Sequence, residues 1–248
     1  HRFDIDDYFD YRARRPMISY RADHYQDYDE PLLEIILERD STGTPFLLLA
    51  GPEPDYRWER FIDEVEAVVR AHGVELTIGL GAVPMGVPHT RPSVITTHAT
   101  RPELIDRTNM WTPDLRVPSS MQAVMEYRFG ERGLDAVGYV VHVPHYVAQV
   151  DFPPAAVALV NAVSDRTGLQ LDTDRLRRSQ DATIADINAQ IEEQDSGEVL
   201  SGLEQQYDAF ARGAAQSLLA EDADIPSGDE LADQFERYLA RQRKEGDD

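Results

Sequence analysis

The sequence predicts an α/β sandwich with helices on both faces of its sheet, followed by a helical C-terminal region. Apolar strand-like runs alternate with helix-periodic segments through the first two thirds of the chain, the pattern of strand–helix–strand units. Strand signals cease after Pro153. Beyond it, narrow apolar stripes recur at helical spacing on strongly polar segments. At 248 residues, one large domain or a domain with an appendage is expected. We divide it into an α/β/α core over 1–168 and a helical region over 169–248.

Each element has its own signal. "FLLLAG", from Phe46, is a near-continuous apolar run bounded by Pro45 and Gly51, which predicts a strand buried on both faces. Asp55 is placed to cap the next helix and Gly73 to end it. Between them Trp58, Phe61, Ile62, Val65, Val68 and Val69 give one broad apolar face. "VELTIGLGAV" predicts a strand, and the loop "GLGAVPMGVPHTRP" is too rich in Pro and Gly to be either element. "SVITTHA" is β-branched and reads as another strand. A helix follows Ser119 and Ser120 through Met121, Val124, Met125 and Phe129, and a strand runs from Ala136 to Val143.

Upstream, "MISY" and "LLEIIL" read as a pair of strands, antiparallel at an edge. Downstream, helices are expected around Val157, Val160 and Val163, then Leu176, Ile184, Ile187 and Ile191, then Val199, Leu203, Tyr207 and Phe210. "DELADQFERYLARQRK" predicts a last one. Helices so polar are marginal alone, so their stripes should pack on a domain or a partner subunit.

Composition narrows the function. The net charge of −22 argues against a nucleic-acid partner held by bulk electrostatics. No apolar run reaches membrane-spanning length and no signal-peptide pattern opens the chain, so a membrane partner is not expected. Cysteine is absent, which rules out disulfides, thiolate metal sites and a cysteine nucleophile and fits a cytoplasmic protein. Lys244, in the hydrophilic tail, is the single lysine. The body therefore has none for a Schiff base or a phosphate loop.

The tripeptide "VPH" occurs twice, at Val87–His89 and Val143–His145. Strand alternation puts Val137, Tyr139, Val141 and Val143 on one face and His142 with Gly138 and Val140 on the other, and Pro144 ends the ladder. Open α/β sheets bind ligands beyond their strand ends. His89, Arg91, His142 and His145 are therefore the candidate ligand-binding residues, suited to a nucleoside, nucleotide or similar anion. The competing reading makes the histidines structural or interfacial. No metal is expected, because H-x-x-H at a strand end is not the helical pair of the zinc peptidases and the nearest acid is Asp151.

Other constellations fail on spacing. Pro84, Pro88 and Pro92 forbid the helix a dinucleotide loop must open. Ser119, Ser120 and Asp114 could be assembled with the histidines into a triad, but without a nucleophile elbow the serines read as a helix cap. Asp4, Asp6, Asp7 and Asp10 lack the EF-hand spacing and read as a solvated acidic edge. We expect no catalytic residues and no cofactor.

Four blocks, "FDYRARRP", "GTPFLLLAGPEPDYRWERF", "TIGLGAVPMGVPHTRP" and "VGYVVHVPHYVAQVDFPPAA", resemble the proteasome assembly chaperone two family, most closely its actinobacterial branch. Their order and spacing agree over most of the first 165 residues, and the helix containing "LEQQYDAF" is similar as well. The resemblance implies a three-layer α/β/α sandwich of the phosphorylase/hydrolase-like kind with a C-terminal helical appendage. It also implies a strand and helix ahead of "RFDIDDYFDY" that are missing from this chain. The function it implies is non-enzymatic: a protein-interaction or assembly-chaperone-like role with proteasome-related proteins as partners. Self-association, with a trimer favoured, follows from the resemblance and from tail stripes that a homo-oligomer would bury.

Overall fold

The structure is a computed structural model that describes residues 1–105, 109, 115–193 and 197–219. Its strands and helices are β1 (Ser19–Arg21), β2 (His24–Gln26), β3 (Glu34–Arg39), β4 (Pro45–Ala50), α1 (Trp58–Ala71), β5 (Thr77–Met85), β6 (Ile95–Ala99), α2 (Met121–Glu131), β7 (Ala136–Pro144), α3 (Pro153–Thr167), α4 (Asp174–Glu193) and α5 (Gly197–Leu219). Two compact units result, His1–Glu204 and Gln205–Asp248. The expected helix "DELADQFERYLARQRK" and Asp114 lie outside the described residues.

β7 is the central strand because its sequence is apolar on both faces. It pairs parallel with β5 and antiparallel with β6. The expected alternation holds. Val137 and Tyr139 pack with Leu104 and Ala162, and Val141 and Val143 pack with Val147, Ala155 and Ile187. That face carries α3, with α4 beyond it. The other side of the molecule is covered by α1 and α2, whose Phe61, Ile62, Val65, Met121, Met125 and Phe129 form one core with Phe3, Tyr8, Leu33 and Ile35. Helix, sheet and helix make three layers. The chain is the α/β/α sandwich that the sequence predicted.

Two glycines admit close neighbours on the sheet, Gly79 beneath Gln122 of α2 and Gly138 beneath His98 of β6. A Cβ on Gly79 would lie 2.4 Å from Gln122 Nε2, and one on Gly138 would lie 1.9 Å from His98 Cε1. Ser120 caps α2 as expected, its Oγ accepting from Ala123 N–H at 3.1 Å. α1 and α2 end alike. Gly73 and Gly133 have φ of 63° and 69°, and the amides of Val74 and Leu134 close on the carbonyls of Val69 and Phe129 at 3.0 and 2.9 Å. These are Schellman stops, which satisfy carbonyls the helix leaves open.

Several expectations are corrected. Asp55 does not cap α1; the N-cap is Arg57, in a left-handed conformation without a side-chain cap bond. Asp55 instead accepts from Asp10 N–H and from Arg14. The "FLLLAG" strand is not buried on both faces: Leu47 and Leu49 pack against the core on one side, while Leu48 stays 45% exposed on the other. "MISY" and "LLEIIL" do not pair with each other: β1 joins β2, and β3 joins β4, both antiparallel. The Pro/Gly-rich loop begins later than expected, because β5 continues to Met85. The acidic N-terminal residues are not simply solvated. Asp7 pairs with Arg57 and Arg60, and Asp10 accepts from Tyr56 Oη and from the amides of Arg12 and Ala13.

Candidate functional site

The parallel register of β5 and β7 ends with Met85 opposite Pro144. The chain therefore leaves both strands at one rim, which places the loop carrying His89 and Arg91 beside the 3₁₀ turn His145–Val147. The rim is built from side chains that meet across long sequence separations.

His89 is buried at 5% exposure. Its backbone N–H donates to Tyr146 Oη at 2.9 Å, its Nδ1 lies 2.8 Å from the same oxygen, and its Nε2 lies 2.9 Å from Asn188 Oδ1 on α4. The Tyr146 oxygen accepts from the amide, so its own proton is free to go to Nδ1. Nε2 then carries the ring proton and donates to Asn188. In this arrangement both ring nitrogens of His89 have a partner. Burial raises the Tyr146 pKa; the amide bond from His89 opposes the rise and the Glu204 charge adds to it.

Arg91 Nη1 meets Glu204 Oε1 at 3.1 Å, and the Thr90 hydroxyl bonds the same carboxylate. His145 is exposed, and its ring meets Tyr146 edge-on with centroids 5.4 Å apart. His142 turns elsewhere. Its N–H donates to Val94 O at 2.8 Å and its Nε2 sits 2.9 Å from Thr96 Oγ1. Burial lowers its pKa and favours the neutral ring.

Tyr146 thus links His89 and His145, Glu204 holds Arg91, and His142 faces β6. His89 fastens the loop after β5 to Tyr146 and to α4, and His142 fastens β7 to β6 through Thr96. Among the described residues no group of three His, Asp or Glu side chains is placed to hold a metal ion. A fourth histidine, His98 on β6, was not singled out by the sequence. Its Nδ1 meets Glu126 Oε1 on α2 at 2.8 Å, and this bond raises its pKa against the opposing effect of burial. Tyr146, Asn188, Glu204 and Glu126 also escaped notice. Asn188 adjoins the apolar Ile187 on α4 and Glu204 adjoins Leu203 on α5, but a polar residue beside an apolar stripe is ordinary. Only pairing across the fold gives these residues their roles.

The chain has informative relatives among solved structures. It is 43% identical to a Mycobacterium tuberculosis protein of unknown function, with a TM-score of 0.81 and coverage of 88% of this chain and 74% of that one. A Corynebacterium glutamicum protein of unknown function is 37% identical, with a TM-score of 0.80 over 84% of this chain and 78% of that one. A proteasome-assembly chaperone homologue of Mycobacterium tuberculosis is 26% identical, with a TM-score of 0.71 over 77% of this chain and 81% of that one. No curated protein matches. The PAC2 family model matches residues 1–194. The chain belongs to the PAC2 family.

Proposed function

We propose that this chain is a non-enzymatic, assembly-chaperone-like interaction protein of the cytoplasm, with proteasome-related proteins as partners. The observation that carries the reading is its family membership, joined to 26% identity with a proteasome-assembly chaperone homologue. The rim agrees with it: the buried histidines are engaged by Tyr146, Asn188 and Thr96 rather than aligned on a common reactive point. The surface agrees as well. Tyr20 and Tyr25 of the β1–β2 hairpin are 63% and 69% exposed, and such aromatic side chains are enriched at protein interfaces.

Affinity purification of the tagged protein from an actinobacterial lysate, with mass spectrometry of what it retains, tests the reading. Proteasome subunits or their assembly intermediates should be enriched over a mock purification. A deletion strain should show altered proteasome assembly on native gels. Recovery of the chain alone, together with unchanged assembly in the deletion strain, would remove the proposal.

A further inference from the structure

β6 ends its sheet. In the order β5–β7–β6 it has a strand on one side only among the described residues. Its ladder shows which backbone groups are left over. His142 N–H donates to Val94 O at 2.8 Å, and Thr100 N–H donates to Ala136 O at 3.0 Å. Antiparallel pairs alternate, so Val94, Thr96, His98 and Thr100 spend their groups on β7. Ile95, Thr97 and Ala99 turn theirs off the free edge.

A free edge is a template for another strand, and native sheets blunt it with charge, proline or a bulge. β6 has none of these: Ile95–Ala99 reads ITTHA, in unbroken register with β7. The net charge of −22 gives little local repulsion either, because no Asp or Glu occurs from Leu76 to Pro102. The edge is also self-complementary. Two antiparallel β6 strands related by a twofold axis at Thr97 would set Thr97 against its own counterpart and Ile95 against Ala99, with every outward group facing a partner.

One side chain stands in the way. Asn109 Oδ1 accepts from Thr97 N–H at 2.7 Å, and Asn109 Nδ2 donates to Thr97 O at 2.8 Å. These are the two bonds that an opposing strand residue would make, supplied by a side-chain amide with the same donor and acceptor as the backbone. Thr97 is left 2% exposed. Among the described residues no other group bonds the outward N–H and C=O atoms of β6. We propose that Asn109 is an edge guard: it holds the centre of the free edge of β6 as a mimic of one strand residue, and so keeps β6 of a second copy from pairing there. The guard works against a wrong association and does not depend on the assembly role proposed above.

The test compares the 248-residue chain with its Asn109→Ala variant. Amide exchange at Thr97 should quicken about 10-fold in the dilute variant, while the β7 amides stay protected. A synthetic peptide of residues 93–100, SVITTHAT, should bind the variant and not the unaltered chain. At higher concentration the variant should also show a mass above that of the unaltered chain. Ala99→Pro removes an outward donor without touching the β6–β7 ladder, so adding it to Asn109→Ala should reduce both peptide binding and the excess mass. Asn109→Ser, whose hydroxyl is too short to span both Thr97 atoms, gives the same reading where the alanine variant folds poorly. Peptide binding equal in the variant and the unaltered chain, or seen in neither, overturns the proposal. Excess mass that Ala99→Pro leaves unchanged overturns it too, by placing the association elsewhere.

Discussion

His98 lays its ring across Gly138, its cross-strand partner, and reaches Glu126 on the overlying α2. Two predictions follow from this contact and its neighbour His142. Because a Cβ on Gly138 would fall 1.9 Å from the His98 ring, Gly138→Ala must displace the ring or the strand. Overpacking of this kind costs about 1–3 kcal/mol, measurable as a lowered urea midpoint at unchanged slope. The second prediction concerns pH. His98 has a pKa raised above 6.5 by the Glu126 bond, so its stabilisation is full below 6.5 and is lost as pH rises through the folded value. His142 has a pKa lowered below 6.5 by burial. Below 6.5 the unfolded chain takes up a proton that the folded chain refuses, so His142 weakens the fold on acidification. Thermal unfolding between pH 5 and 8 separates the two. His142→Gln should reduce the acid loss, while His98→Gln should lower stability more at pH 5 than at pH 8.

At the scale of elements, α1 and α2 are joined by surface ion pairs and by a shared apolar core. Arg128 bonds Glu59 and Glu131, and Arg132 bonds Asp63 and Glu66. Beneath them Phe61 and Phe129 are fully buried. The core should dominate, because exposed pairs spend side-chain entropy and are screened by solvent and salt. Phe129→Ala should cost about 3–5 kcal/mol by removing buried contacts and leaving a cavity. Arg128→Met should shift the unfolding temperature by less than about 2 °C, and by less still in high salt. Parallel melts of the two variants decide it; comparable losses would mean that the pairs carry the helix–helix contact.

For the whole molecule, the proposal is self-association, with a trimer as the stoichiometry. Large apolar side chains stand at the surface: Met17 is 71% exposed, Val199 65% and Phe210 53%. A homo-oligomer buries such groups by repeating one patch. The opposing force is charge, at −22 per chain. Raising salt should therefore strengthen association by screening, unless arginine–carboxylate pairs dominate the interface. Light scattering across protein and salt concentration reads this directly. A monomer mass throughout ends the prediction, and a dimer or tetramer corrects its stoichiometry.

The sequence by itself determined what depends on local periodicity and on residue type. β7 was legible because its apolar residues run on both faces and Pro144 stops the ladder. α1 was legible from its spacing and its glycine stop, α2 from its spacing and its serine cap, and the family from four ordered blocks. Tertiary structure decided what depends on residues far apart in the chain. Asp55 reads locally as a cap, yet its carboxylate is taken by Arg14 and Asp10, 41 and 45 positions away. "FLLLAG" reads as a strand buried on both faces, but burial of the second face requires an element packed over it, and Leu48 stays 45% exposed there. The rim shows the same division. The sequence could place His89 and His145 after apolar runs, but Asn188 lies 99 positions from His89. A hydrogen bond of that span leaves no periodic trace, because only the packing of α4 beside the sheet brings its two ends together.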